Sequence, residues 1–220
     1  MRDHGPSYAL LLAGPNGAGK STTWYQRLQD EYPEAEFLNA DEYQINVLKD
    51  DSPEASYEAA EAIRHRIDDI LSQAPEDNND RPCFAMETVF SHPSKLDIVR
   101  RCKELGYYVI VVHIGLKNPD ISVDRVALRV LDGGHHVPED KIRERFERNK
   151  ALIAQAVYEA DLGLIYDNSI DGVPVKLELV VEEGRATHIK YLHSAWVIEQ
   201  YQISNPQDLT PVRELVDEAE

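Results

Sequence analysis

Short apolar runs recur through the first 170 positions, each closed by glycine or by polar residues. Residues 8–14 (YALLLAG) are almost continuously apolar, as a strand buried on both faces of a parallel sheet must be. Residues 37–41 (FLNAD), 83–88 (CFAMET), 107–116 (YYVIVVHIGL) and 162–167 (LGLIYD) read the same way, and 107–116 is the strongest strand signal. Helical segments are expected between them, at about 20–31, 53–73, 93–105, 120–131 and 138–158. Ser52 followed by Pro53 marks a helix start, and Gly106 is placed to end another in the left-handed conformation. Residues 74–82 are polar and rich in Pro, Asn and Asp, hence a loop. The alternation predicts an α/β fold in which helices cover both faces of a parallel sheet. Ligands in such sheets bind beyond the carboxyl ends of the strands, where three of these runs end in polar groups.

The pattern changes after residue 170. Residues 173–182 and 186–191, joined by Glu183-Gly184, read as an antiparallel hairpin, followed by a short helix and an acidic tail. Residues 1–170 are therefore expected to form the core, with a lid at about 125–150, and residues 171–220 a C-terminal appendage.

Composition narrows the class. The formal net charge of −17 lacks the basic footprint that general nucleic-acid binding or an anionic membrane surface requires. Ten Asp/Glu lie in 50–80 against Arg64 and Arg66, which reads as a solvated helix face. Cys83 and Cys102 share no CxxC or Cys/His ligand spacing, so free thiols in a reducing compartment are expected. No apolar stretch approaches the length of a membrane span and no secretory leader is evident, so a cytoplasmic location is expected.

The segment Gly14-Pro15-Asn16-Gly17-Ala18-Gly19-Lys20-Ser21-Thr22 carries G-x-x-x-x-G-K-[ST] between a strand and a helix. Its glycines let successive backbone N–H groups wrap phosphates, and the helix N-terminus adds partial positive charge. Lys20 is expected to reach the β- and γ-phosphates, and the Ser21 hydroxyl to ligate Mg²⁺. The chain should thus bind ATP or GTP with Mg²⁺. Neither an NKxD-type guanine reader nor an LSGGQ-like signature is present, which leaves a small-molecule kinase ahead of a GTPase or a transporter ATPase.

Asp41, at the end of the second strand, could accept a proton from a substrate hydroxyl, hold Mg²⁺ through water, or simply cap a helix. Glu87 and Thr88 end the third strand and should face the same cleft, as an acceptor- or metal-binding pair or as a structural one. Residues 124–150 carry Arg125, Arg129, Lys141, Arg143, Arg145, Arg148 and Lys150, several at helical i, i+3 or i+4 spacing. A basic lid in an acidic protein suits phosphoryl transfer, where arginines neutralise charge on the transferring group. Two or three of these residues are expected to touch phosphate, the others to pair with neighbours such as Glu144 and Glu147. His135-His136 is read as part of a turn, because adjacent histidines seldom converge on one ion.

These segments (GPNGAGKST at 14–22, NADE at 39–42, ETVFS at 87–91, RVALRVLDGGHHVPEDKIRERFERN at 125–149 and YDNS at 166–169) resemble the zeta-toxin-like P-loop kinases. The likeness covers about residues 7–170 and is greatest to the branch often labelled predicted ABC-type ATPases. It implies a nucleotide-monophosphate-kinase-like fold. It further implies transfer of the ATP γ-phosphate to a hydroxyl, in the studied zeta toxins the 3′-hydroxyl of the sugar in UDP-N-acetylglucosamine. By that resemblance Asp41 is the general base, Glu87 and Thr88 are the substrate motif, and Arg129, Arg143 and Arg145 are lid arginines. A small antitoxin protein is an implied partner. A nucleotide-binding regulatory module, with the acidic 50–80 face and the hairpin as its contact surfaces, is the alternative from another class.

Overall fold

A computed structural model describes residues 7–73, 81–131, 137–188, 194–204 and 209. The turn at 132–136, with His135 and His136, lies outside them, as does most of the polar loop at 74–82. The chain builds one seven-stranded sheet of β1 (Tyr8–Ala13), β2 (Glu36–Leu38), β3 (Phe84–Thr88), β4 (Tyr108–Gly115), β5 (Leu162–Asp167), β6 (Lys176–Glu182) and β7 (Arg185–His188). Their order is β2-β3-β1-β4-β5-β6-β7. The first five strands run parallel, as their apolar runs require. The C-terminal hairpin is present, and β6 pairs antiparallel along β5, so the hairpin extends this same sheet.

Helix α1 occupies residues 20–31, with a wider π turn at Trp24–Leu28. Helix α2 (residues 40–48), absent from the sequence expectation, follows β2 at once. Then come α3 (Pro53–Ser72), α4 (Ser94–Glu104), α5 (Pro119–Leu131), α6 (Glu139–Glu159) and α7 (Ala195–Gln200). Ser52 caps α3, its hydroxyl accepting from the Ala55 amide at 3.2 Å, and Gly106, φ 81°, follows α4. The second strand stops at Leu38, three residues before the expected end. Asn39 accepts from the amides of Asp41 and Glu42 and so starts a helix there. Asp41 is therefore a first-turn residue of α2, neither a strand end nor the cap itself.

Alternation along β1 and β4 divides the core into two layers. Leu11, Val109 and Val111 pack with Ile70 of α3, Val99 of α4 and Ile153 of α6. Leu10, Leu12 and Val112 pack on the other face with Trp24 and Leu28 of α1 and Phe146 of α6. The register aligns the strand ends: Ala13 lies opposite Thr88 on one side and His113 on the other, and Gly115 opposite Asp167. The acidic α3 is tied to its neighbours at the surface. Arg66 donates to Glu36 at 2.6 and 2.8 Å, and Arg101 of α4 pairs with Asp68. Both cysteines are free thiols, and burial pushes the Cys102 thiol up to about 12. Among the described residues, no helix is long and apolar enough to cross a membrane.

The two kinds of contact should separate in urea unfolding. Leu11, fully buried in the central strand, should cost roughly 2–5 kcal/mol when changed to Ala. Arg66→Ala breaks an exposed pair and should cost under about 1 kcal/mol.

Candidate active site

Loop 14–19 connects β1 to α1, and its shape is held from outside. Gly14 (φ 153°) passes so close to β4 that an added Cβ would lie 2.1 Å from the Ile114 carbonyl oxygen. Three successive carbonyls of the loop are tethered by residues far away in sequence. The Ser122 hydroxyl of α5 donates to the Asn16 carbonyl. Arg125 Nη1 donates to the Gly17 carbonyl at 3.4 Å, and Asn168 Nδ2 to the Ala18 carbonyl at 2.8 Å. In a trans peptide the next residue's N–H points opposite its neighbour's carbonyl. Binding the Asn16 and Ala18 carbonyls to these donors thus turns the Gly17 and Gly19 N–H groups away from them, as a backbone anion nest requires. Gly19 is itself crowded: a Cβ there would meet Asn168 Nδ2 at 2.6 Å.

Lys20 is buried; its Nζ donates to the Pro15 carbonyl at 3.1 Å and lies 3.5 Å from Glu87 Oε1. The other oxygen of Glu87 accepts from the Ser21 hydroxyl at 2.7 Å and from Asn39 Nδ2 at 3.0 Å. Asn39 also reaches Glu42, which accepts from the Tyr25 hydroxyl at 2.6 Å. One carboxylate at the end of β3 thereby joins the loop lysine, the first helical turn and the start of α2. Thr88 turns elsewhere: its hydroxyl oxygen accepts from the Phe90 amide at 3.0 Å, supporting the positive φ of 58° at the buried Phe90.

A cavity of about 630 Å³ opens over this cluster. Its walls include residues 16, 17 and 19–23 of the loop and α1, together with Asp41, Glu87, Arg125 and Arg129. Ile170, Val173, Pro174 and Val175 supply an apolar flank. Of Arg129, Arg143 and Arg145, the first lines this space and the other two do not. Arg143 is held at the surface, 2.7 Å from Asp120 and 2.8 Å from Glu139. Arg145 is partly exposed one turn before Asn149, whose side chain donates to the Val89 carbonyl. Arg125, noticed in the sequence only as one basic residue among several, is tied to both the loop and Asp171 (2.5 Å).

Asn39, Ser122 and Asn168 were missed as site residues. A polar pair closing a buried strand, as in NADE and YDNS, is a usable signal for the two asparagines. Nothing local distinguishes Ser122 from any helix serine.

Behind the loop, His113 is fully buried in β4, its Nδ1 2.7 Å from the Tyr201 hydroxyl and its ring edge-on to Trp196. Burial first, then the charge of Lys20, depresses its pKa to about 3, so it is a neutral imidazole.

A family model for the zeta toxin matches residues 2–170. The chain belongs to the zeta-toxin family. By sequence, the chain is 35% identical to an uncharacterized protein of Haemophilus influenzae over 63 residues, which are 29% of this chain and 45% of that protein. Among solved structures, the AvrRxo1-ORF1:-ORF2 complex with ATP superposes with a TM-score of 0.66 at 14% identity, over 90% of this chain and 64% of the matched one. The PezAT chromosomal toxin–antitoxin system of Streptococcus pneumoniae superposes at 0.53 with 18% identity, over 76% and 72%. This zeta-toxin chain spans 45% of the Haemophilus influenzae protein and 64% of the matched AvrRxo1-ORF1:-ORF2 chain, less than two thirds of each. The family and the superpositions agree on an α/β fold with a central parallel sheet flanked by helices.

The buried His113 makes a pH prediction. Its folded pKa of about 3 lies below the ordinary 6.5, so the unfolded chain binds the extra proton between those values. Stability is complete above pH 6.5 and falls as pH drops toward 3, by up to about 1.4 kcal/mol per unit from this group. Urea titrations from pH 7 to 5 should show this slope. His113→Asn, which keeps a partner for Tyr201, should remove it.

Proposed function

We propose that this zeta-toxin family member is an ATP- and Mg²⁺-dependent kinase that transfers the γ-phosphate to a hydroxyl of a small metabolite, with UDP-N-acetylglucosamine the first acceptor to test. The observation that carries the reading is the cluster of Lys20, Ser21 and Glu87 on the floor of a cavity that Asp41 and Arg129 also line.

The donor set suits the metal: Ser21 and Glu87 offer hard oxygens in hydrogen-bond contact. Mg²⁺ held by Ser21, with Glu87 beside it, would supply charge neutralisation to the nucleotide phosphates. The loop amides and Lys20 bind the phosphate oxygens, Lys20 exchanging its contact with Glu87 for them. Asp41, on the first turn of α2, takes the proton from the acceptor hydroxyl. Thr88 serves that pair indirectly, by fixing the turn that follows β3. Arg129 balances charge on the transferring group from the cavity wall. Arg143 and Arg145 join it only if α6 shifts toward the cavity, with Arg143 leaving Asp120 and Glu139. The apolar flank at 170–175 gives the nucleotide base a surface to pack on. A small antitoxin protein is the proposed macromolecular partner, in line with the toxin–antitoxin assembly named for a structural neighbour.

Mass-resolved assay of a panel of nucleotide sugars, nucleosides and sugar phosphates with ATP and Mg²⁺ tests the reading. One added phosphate, lost in Lys20→Ala, is the expected result. Only ADP and free phosphate, with no acceptor modified, would favour a nucleotide-binding regulatory module instead. Asp41→Asn should lower turnover by roughly 10²–10⁴-fold while ATP affinity stays within about threefold.

The arginines should separate in the same assay. Arg129→Ala should cost on the order of 10-fold or more in turnover. Arg143→Ala, whose surface ion pairs contribute little, should change it by less than about threefold. Equal losses would mean that α6 closes over the phosphates during turnover.

A further inference from the structure

The segment from Ser194 through α7 to Tyr201 lies beyond the family match at 2–170, yet it reaches the residues that hold the nucleotide loop. Asp167, the last residue of β5, is the hub. Its Oδ1 accepts from the Trp196 indole N–H at 3.1 Å and from both the amide and the hydroxyl of Ser169. Its Oδ2 lies 2.9 Å from the Ser194 hydroxyl, which is also 3.0 Å from Glu178, and the Ser194 amide donates to Glu178 at 2.9 Å. Ser194 thereby bridges two carboxylates, one on β5 and one, fully buried, on β6.

The residue after the hub is Asn168. Its amide donates to the Gly115 carbonyl at 3.0 Å and its carboxamide to the Ala18 carbonyl at 2.8 Å. The direction of the Gly19 N–H therefore depends on a turn whose central carboxylate is oriented by the C-terminal segment. Two further contacts come from the same segment. The Trp196 ring lies so close to Gly115 that a Cβ there would fall 2.1 Å from it. Tyr201 meets His113, which pairs in the sheet with Ala13, the residue immediately before the loop.

We propose that Ser194 and Trp196 are positioning residues for the nucleotide loop, acting through Asp167 and Asn168. Without them the Asp167 carboxylate keeps, among the described residues, its own turn as hydrogen-bond partner, and the carboxamide of Asn168 no longer has a fixed origin from which to hold Ala18. The family core thus has its phosphate loop set by a segment outside that core. The proposal rests on the nucleotide reading only for its affinity arm.

The test compares wild type, Trp196→Phe, Ser194→Ala and Asn168→Ala in the full chain, by amide hydrogen exchange without nucleotide and by ATP affinity. Ser194→Ala removes only a hydroxyl and keeps the test open should Trp196→Phe fail to fold. Exchange in residues 14–22 should accelerate roughly 3- to 10-fold, the size of one lost hydrogen bond, while α3 stays unchanged. Asn168→Ala should have the same effect, and combining it with Ser194→Ala should add nothing further. ATP affinity should weaken by a similar factor. Acceleration confined to 194–201, acceleration spread evenly through α3, or additive double-variant effects would each overturn the proposal. If wild type binds no ATP, the nucleotide reading fails, while the exchange pattern still decides whether the segment positions the loop.

Discussion

The site depends on how a short loop is prevented from facing its carbonyls toward an anion. Backbone amides bind phosphate only when they converge, and a peptide unit offers an N–H on one side only by presenting a carbonyl on the other. Those carbonyls must be satisfied elsewhere. Here Ser122, Arg125 and Asn168, from α5 and the end of β5, accept that task for Asn16, Gly17 and Ala18. The sheet makes it feasible: β1 and β3 end in register at residues 13 and 88, and β4 and β5 end in register two positions further on, at 115 and 167. The zeta-toxin match ends at 170, whereas the supports of its loop continue past it.

Glu87 organises the second half of the site by the same economy of contacts. It faces Lys20, accepts from Ser21 and holds Asn39, which in turn caps α2. The position of Asp41 follows, since α2 starts where Asn39 is anchored. A basic residue on the sequence is not thereby a basic residue in the cleft. Arg143 has two carboxylates within 3 Å and stays outside, while Arg129, on the preceding helix, lines the cavity.

Much of the fold was legible because burial on both faces leaves no polar position in a strand. The runs at 8–14 and 107–116 could be little else, and β1 and β4 occupy the centre of the sheet. The loop motif and Ser52-Pro53 were legible because each is a local rule about backbone conformation. The second strand was read too long, since one asparagine side chain capturing two amides decides where FLNAD turns into a helix. Glu87 was legible as a residue at the end of the third strand, whereas Asp41 was read as a strand end and lies on the first turn of α2. Ser122, Arg125 and Asn168 work at separations above 100 residues, and periodicity carries no record of such pairings. The lid arginines looked equivalent because spacing reports which residues share a helix face, not which face meets the cleft.

The chain has two tryptophans, and the fold sets them on opposite sides of the sheet. Trp24 is stacked on Phe37 with ring centroids 4.4 Å apart, beside the strand that leads into α2. Trp196 lies against His113 and Gly115, behind the phosphate loop. Each indole is therefore a native optical probe for one half of the molecule. Emission of Trp196 in a Trp24→Phe variant would report the nucleotide side alone, and its difference from wild type the side of Trp24, with no label introduced.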